Sequence, residues 1–199
     1  NFGSECRISD KFMKNLIKKL NISNEIISHI KSREIKELEK LNKKRRQKTT
    51  KIKKLYDANW AGTVKSKLCT LILTEGDSAK AMAISGLGAI ENGTNIFGVF
   101  PLKGKLLNVR EASHKQIINN EEFNNIRKIL GINIGSSYTN ENIDSLRYGS
   151  ILLMMDADVD GSHIKGLFFN MIEYYFPSLL RIEGFLKALI TPVVKTVNK

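Results

Sequence analysis

Apolar residues in the last two-thirds of the chain gather into short unbroken runs. Cys69–Thr74, Ile96–Pro101, Ile151–Met155 and Phe185–Val194 are the clearest. Runs this short, rich in Ile, Leu and Val, read as strands buried on both faces. Between them the pattern changes to a helical period. Ala79–Leu87 is a small-residue helix able to pack closely on a sheet. Residues 112–148 are helical and polar by pattern, with Ile126, Ile129 and Leu130 as apolar anchors. Gly161 allows a turn and Ser162 is a helix N-cap for the amphipathic stretch His163–Phe176, which ends before Pro177. Strands alternating with helices predict an α/β fold, a parallel sheet with helices on both faces.

The first third has another pattern. Ser9 or Asp10 can cap a helix in which Phe12, Met13, Leu16, Ile17 and Leu20 share a face. After a polar turn at 21–24, Ile26, Ile27, Ile30, Ile35, Leu38 and Leu41 mark a longer helix with a narrow apolar stripe. From Lys43 to Lys54, eight of twelve residues are Lys or Arg, too polar to fold unaided and predicted to be a basic loop. The expected division is therefore 1–68, helical with a basic linker, and 69–199, the α/β domain.

Charge sharpens that division. Residues 1–68 hold 19 Lys/Arg against 7 Asp/Glu, while residues 69–199 hold 13 of each. The whole net charge of +12 thus lies in the first third. Such asymmetry fits a polyanionic partner, above all nucleic acid, or a solvated basic helix and linker. Cys6 and Cys69 form neither a metal spacing nor a disulfide framework. With no run of eighteen apolar residues and no signal-like start, a soluble protein without membrane contact is expected.

Candidate chemistry concentrates where strands end. The run Ile151–Met155 passes directly into Asp156, Asp158 and Asp160, three carboxylates at alternate positions. Like charges that close repel unless a divalent cation joins them. An EF-hand is not expected, because Leu167 stands where its bidentate Glu belongs and the preceding segment reads as a strand, although a calcium loop of another kind stays open. A second strand–acid–glycine–helix junction occurs at Glu75-Gly76-Asp77-Ser78. After the strand at Ile96–Pro101, Lys103, Lys105 and Arg110 share a glycine-containing segment suited to phosphate contact, or to a solvated turn.

Three motifs occur in a fixed order: Glu75-Gly76-Asp77-Ser78-Ala79, Pro101 to Arg110, and Asp156-Ala157-Asp158-Val159-Asp160-Gly161-Ser162-His163-Ile164. Together they resemble the Toprim domain of type IIA DNA topoisomerases, over residues 69 to about 195. The segments Ser78–Ala83, Arg110–Lys115 and His163–Leu167 resemble the eukaryotic members. Leu55–Asn59 is similar to the end of the transducer domain that precedes Toprim there.

The resemblance implies a Rossmann-like Toprim sheet preceded by a helical transducer end. It implies Glu75, Asp156 and Asp158 as catalytic Mg2+ ligands, with Asp160 as an outer ligand or support and Mn2+ or Ca2+ able to substitute in binding. Lys105 and Asn108 match DNA-contacting positions, and Lys103 and Arg110 are their neighbours on the backbone. The implied activity is cleavage and religation of duplex DNA during ATP-dependent strand passage. The implied assembly is a nuclear homodimer whose nucleophilic Tyr lies in a winged-helix domain. The five tyrosines here match no such motif, and no ATP site is visible, so the chain alone is expected to be inactive. The rival readings are a Toprim-type nuclease or primase, and a non-catalytic DNA- or calcium-binding module.

Overall fold

The computed structural model describes residues 52–190 together with 9–12, 14 and 33. The chain divides into two compact units, 1–47 and 48–199. In the first unit, the Ser9 hydroxyl and carbonyl both accept from the Phe12 N–H, at 3.3 and 3.0 Å, so Ser9 caps the helical residues 10–12. The rest of the two expected N-terminal helices, and most of the basic loop, lie outside the described residues.

In the second unit the apolar runs form β1 (Thr70–Glu75), β2 (Phe97–Leu102), β3 (Ser150–Met154) and β4 (Leu186–Ala188). They make one parallel sheet in the order β2-β1-β3-β4. Helices α1 (Gly76–Leu87) and the short α2 (Gly93–Ile96) follow β1. After β2 come α3 (His114–Asn119) and α4 (Glu121–Leu130), and α5 (Val159–Tyr175) follows β3. Residues 131–149 run mainly as turns and loop, not as the helix the polar pattern predicts. Ile126, Ile129 and Leu130 are fully buried anchors, as expected.

Strand alternation sorts the core. Ile72 of β1 and Val99 of β2 pack against Ala83 and Leu87 of α1, with Leu152 and Met154 at the margin. Leu71, Leu73, Phe100, Ile151 and Leu153, all buried, face the other way. The step from β1 to β2 crosses the sheet in one direction, and that from β2 to β3 returns past β1. Right-handed crossovers then place α1 on one face and α3 to α5 on the other. The reversal falls between β1 and β3, which makes their carboxyl ends the topological switch point of the sheet.

Residues before β1 belong to the same packing. Tyr56 and Val99 exchange backbone hydrogen bonds of 2.9 and 2.7 Å, covering the outer side of the edge strand β2. That edge position also tolerates Pro101, which has no N–H to donate. Asp57 accepts from the Tyr148 hydroxyl and pairs with Arg147, and the same hydroxyl accepts from the Ala58 N–H at 3.1 Å. Burial first, and Asp57 second, push the Tyr148 phenol well above its ordinary range. Room for that hydroxyl exists because residue 98 is glycine: a Cβ there would lie 2.1 Å from it.

Candidate metal and nucleic-acid site

β1 and β3 are hydrogen-bonded neighbours in parallel register, with Thr74 opposite Met154. Glu75 closes β1 and Asp156 lies two residues beyond β3, so both acids reach the same edge of the sheet. At the first junction Gly76 adopts φ +79°, a left-handed turn that drops the chain from strand into α1. Glu75 occupies the cap position of α1, yet its side chain makes no capping bond. Its carboxylate is partly buried, and Oε2 lies out of solvent reach without a hydrogen-bond partner among the described residues. Burying such an oxygen is costly unless a donor or a cation completes it.

The second junction differs from the sequence expectation. α5 starts at Val159, and its cap is Asp158 instead of Ser162. The Asp158 carboxylate accepts from the Gly161 N–H at 2.7 Å and carries a negative charge to the positive end of the helix. Gly161 is buried inside the first turn and makes no left-handed turn. Its importance is close approach: a Cβ would stand 2.3 Å from the Asp156 carbonyl oxygen. Asp156, Asp158 and Asp160 are all exposed.

The segment after β2 faces this edge. Leu106 and Val109 are buried and pin it to the domain. Lys105 Nζ is 3.0 Å from Asp160 Oδ1, joining the basic segment to the third acid. Lys103 pairs with Glu121 at 3.7 Å, and its N–H donates to Glu122 at 3.2 Å. Arg110 pairs with Glu173 of α5 at 2.6 Å. Asn108 and Asn170 are joined at 3.1 Å. Sequence reasoning missed Glu122, Asn170 and Glu173. A polar Asn inside the apolar period of α5, with Glu173 one turn later, was the available sign.

Glu122 gives a pH-dependent prediction. Burial, its first cause, raises the carboxyl above its ordinary 4.5, and the Lys103 N–H and ammonium only partly offset this. A raised carboxyl favours the fold below the unfolded pKa and loses that contribution as pH rises through the folded value. Glu122→Gln is therefore expected to raise the melting temperature at pH 7. The gain should vanish below about pH 4.5, where both states are protonated. Thermal melts of both proteins from pH 4 to 8 check this, and a pH-independent difference would contradict it.

Among the described residues no three His, Cys, Asp or Glu side chains converge into a complete metal cage. Two carboxylate-bearing strand ends at one edge instead suit a hard divalent cation that binds through one or two carboxylates and takes its other ligands from water and phosphate. The orphaned Glu75 Oε2 and the exposed Asp156 fit such an ion.

These features define a doubly wound α/β domain with acids at its switch point and a cationic segment beside them. The chain belongs to the Toprim family, whose domain matches residues 70–185. It is 53% identical to DNA topoisomerase 2-beta of Gallus gallus over 98% of this chain and 12% of that protein. It is 47% identical to the mitochondrial DNA topoisomerase 2 of Dictyostelium discoideum over 99% of this chain and 15% of that one. Among solved structures it resembles the DNA-binding, cleavage and re-ligation domain of Plasmodium falciparum topoisomerase II. The TM-score there is 0.68 at 52% identity, covering 74% of this chain and 20% of that one. The chain thus spans only about an eighth of the length of the curated relatives it matches. No helix among the described residues is long and apolar enough to cross a membrane.

Proposed function

We propose that this chain is the metal-binding part of a type IIA DNA topoisomerase. In that enzyme it serves cleavage and religation of duplex DNA during ATP-dependent strand passage. The observation that carries the reading is Glu75, partly buried with an unpartnered oxygen, at the switch point beside the acids that follow β3. Glu75, Asp156 and Asp158 would be the Mg2+ ligands, with Asp156 and Asp158 shared or serving a second ion, and Mn2+ or Ca2+ able to replace Mg2+ in binding. The ion would supply positive charge against the charge developing on phosphate and leaving oxygen. Asp160 supports the site from outside, engaged with Lys105.

Lys105 and Asn108 contact the DNA backbone. Lys103 and Arg110 stand on the same segment, each paired with an acid. The rest of the enzyme supplies the ATP site and a winged-helix domain with the nucleophilic Tyr, and the working assembly is a homodimer. The eukaryotic likeness favours the nucleus, although one relative bears a mitochondrial name.

Calorimetric titration of the chain with Mn2+ tests the ligand set. Glu75→Gln and Asp158→Asn retain size, and the latter retains an oxygen for the α5 cap. Each should weaken binding by about tenfold or more, since losing even an outer-shell partner costs about that much. Undiminished binding by Glu75→Gln would end the assignment.

A further inference from the structure

Arg110 lies on the segment proposed to meet DNA, yet its guanidinium points its donors at α5. Nε donates to Asn170 Oδ1, and a terminal nitrogen donates to Glu173 Oε2 at 2.6 Å. The cation also lies 5.8 Å from the centroid of the Tyr174 ring. Asn170 and Glu173 are one turn apart on α5, so both face the same guanidinium. Asn170 then donates through Nδ2 to Asn108 Oδ1 at 3.1 Å. The Arg110 backbone N–H donates to the same oxygen at 3.3 Å.

This chain removes the usual ambiguity of amide orientation. A backbone N–H and an arginine Nε–H can only donate. The Asn108 atom facing the Arg110 N–H must therefore be oxygen, and the Asn170 atom facing Nε must be oxygen as well. Asn170 then has its NH2 left for Asn108. With its carbonyl oxygen held by two inner donors, Asn108 keeps its own NH2 for an outside acceptor. An outward NH2 matches a phosphate oxygen, whereas an outward carbonyl would repel it.

We infer that Asn170 is a positioning residue that, held by the Arg110 guanidinium which Glu173 anchors, turns the Asn108 amide so that its NH2 faces a DNA phosphate. The inference rests on the proposed DNA contact of Asn108. It makes Arg110 part of the support for that contact instead of a second phosphate ligand.

A double-mutant cycle on the 199-residue chain tests it, with affinity for a random-sequence duplex measured by fluorescence anisotropy at several salt concentrations. Asn108→Ala should weaken binding by about tenfold, the scale of a hydrogen bond to a charged group. Asn170→Ala should weaken it by about threefold or more, since Asn108 is then held only by the longer 3.3 Å bond from the Arg110 N–H. In the Asn108→Ala background, Asn170→Ala should change nothing further. The slope of log affinity against log salt, near −4 to −5 if about five phosphates are neutralised, should be the same in all four proteins. Additive losses, or an Asn170→Ala protein that binds like the native one, would overturn the inference and leave the Asn108 contact standing. Native binding by Asn108→Ala would remove the DNA contact and the inference together. If Asn170→Ala fails to fold, Asn170→Ser takes its place in the cycle. The Asn108 side-chain NH2 resonances, identified by their loss in Asn108→Ala, then give an independent reading. They should shift on adding DNA to the native chain, and no shift would overturn the inference.

Discussion

Glu75→Ala in the full-length protein is expected to lower DNA cleavage by about 10²–10³-fold, the cost of removing one group that stabilises transition-state charge. The backbone should hardly notice. Glu75 is the last residue of β1, and its side chain makes no capping bond to α1. The substitution also removes a buried oxygen that has no partner among the described residues. Its melting temperature should therefore match or slightly exceed that of the native protein, because an unsatisfied buried acceptor carries a desolvation cost. Loss of activity with undiminished stability separates a chemical role from a structural one. Plasmid relaxation with Mg2+ and ATP, run beside circular dichroism, provides both readings. Native-like relaxation would remove Glu75 from the mechanism. The 199-residue chain by itself should neither cleave nor relax the plasmid: none of its five tyrosines stands in a winged-helix motif, Tyr148 and Tyr138 are buried, and the Arg110 guanidinium lies over the exposed Tyr174.

Gly161→Ala should damage fold and site together. The new Cβ would stand 2.3 Å from the Asp156 carbonyl oxygen and 3.1 Å from its carbon and nitrogen. Those are backbone atoms, so relief requires the start of α5 or the end of the β3 segment to move. Overpacking of this kind costs about 1–3 kcal/mol. For a chain of this size that lowers the melting temperature by about 2–4 °C per kcal/mol. Either movement displaces Asp156 or Asp158, so Mn2+ affinity should fall as well. Gly166→Ala is the matched control on the same helix. A Cβ at Gly166 meets nothing within 4 Å, and alanine should stabilise a helix interior by about 0.5–1 kcal/mol. If both variants melt alike, close approach at Gly161 is not what demands glycine there.

The strands, the parallel sheet and the placing of acids at strand ends were legible in the chain itself. For β1, β2 and β3 the reason is local: each is a short apolar run mostly buried on both faces, and the polar, glycine-bearing segment that follows marks where it stops. The small residues of α1 and the anchors Ile126, Ile129 and Leu130 were legible for the same reason, since burial follows period. The run expected as a strand over Phe185–Val194 is different: only Leu186–Ala188 pair as β4, half-exposed or exposed at the sheet edge, and residues 191–194 lie outside the described residues. Boundaries shifted where two local signals competed. Asp158 and Ser162 can both cap a helix, and Asp158 prevailed because its carboxylate reaches the Gly161 N–H and starts α5 a turn earlier. Order and pairing depended on contacts distant in sequence. Only the order β2-β1-β3-β4 makes β1 and β3 neighbours and brings Glu75 to the edge that carries Asp156. Only packing of α5 beside the segment after β2 turns Arg110 toward Asn170 and Glu173, at least sixty positions away. Periodicity is written into consecutive residues. The partner of a charged side chain is set by whichever surface the folded core brings within hydrogen-bonding reach.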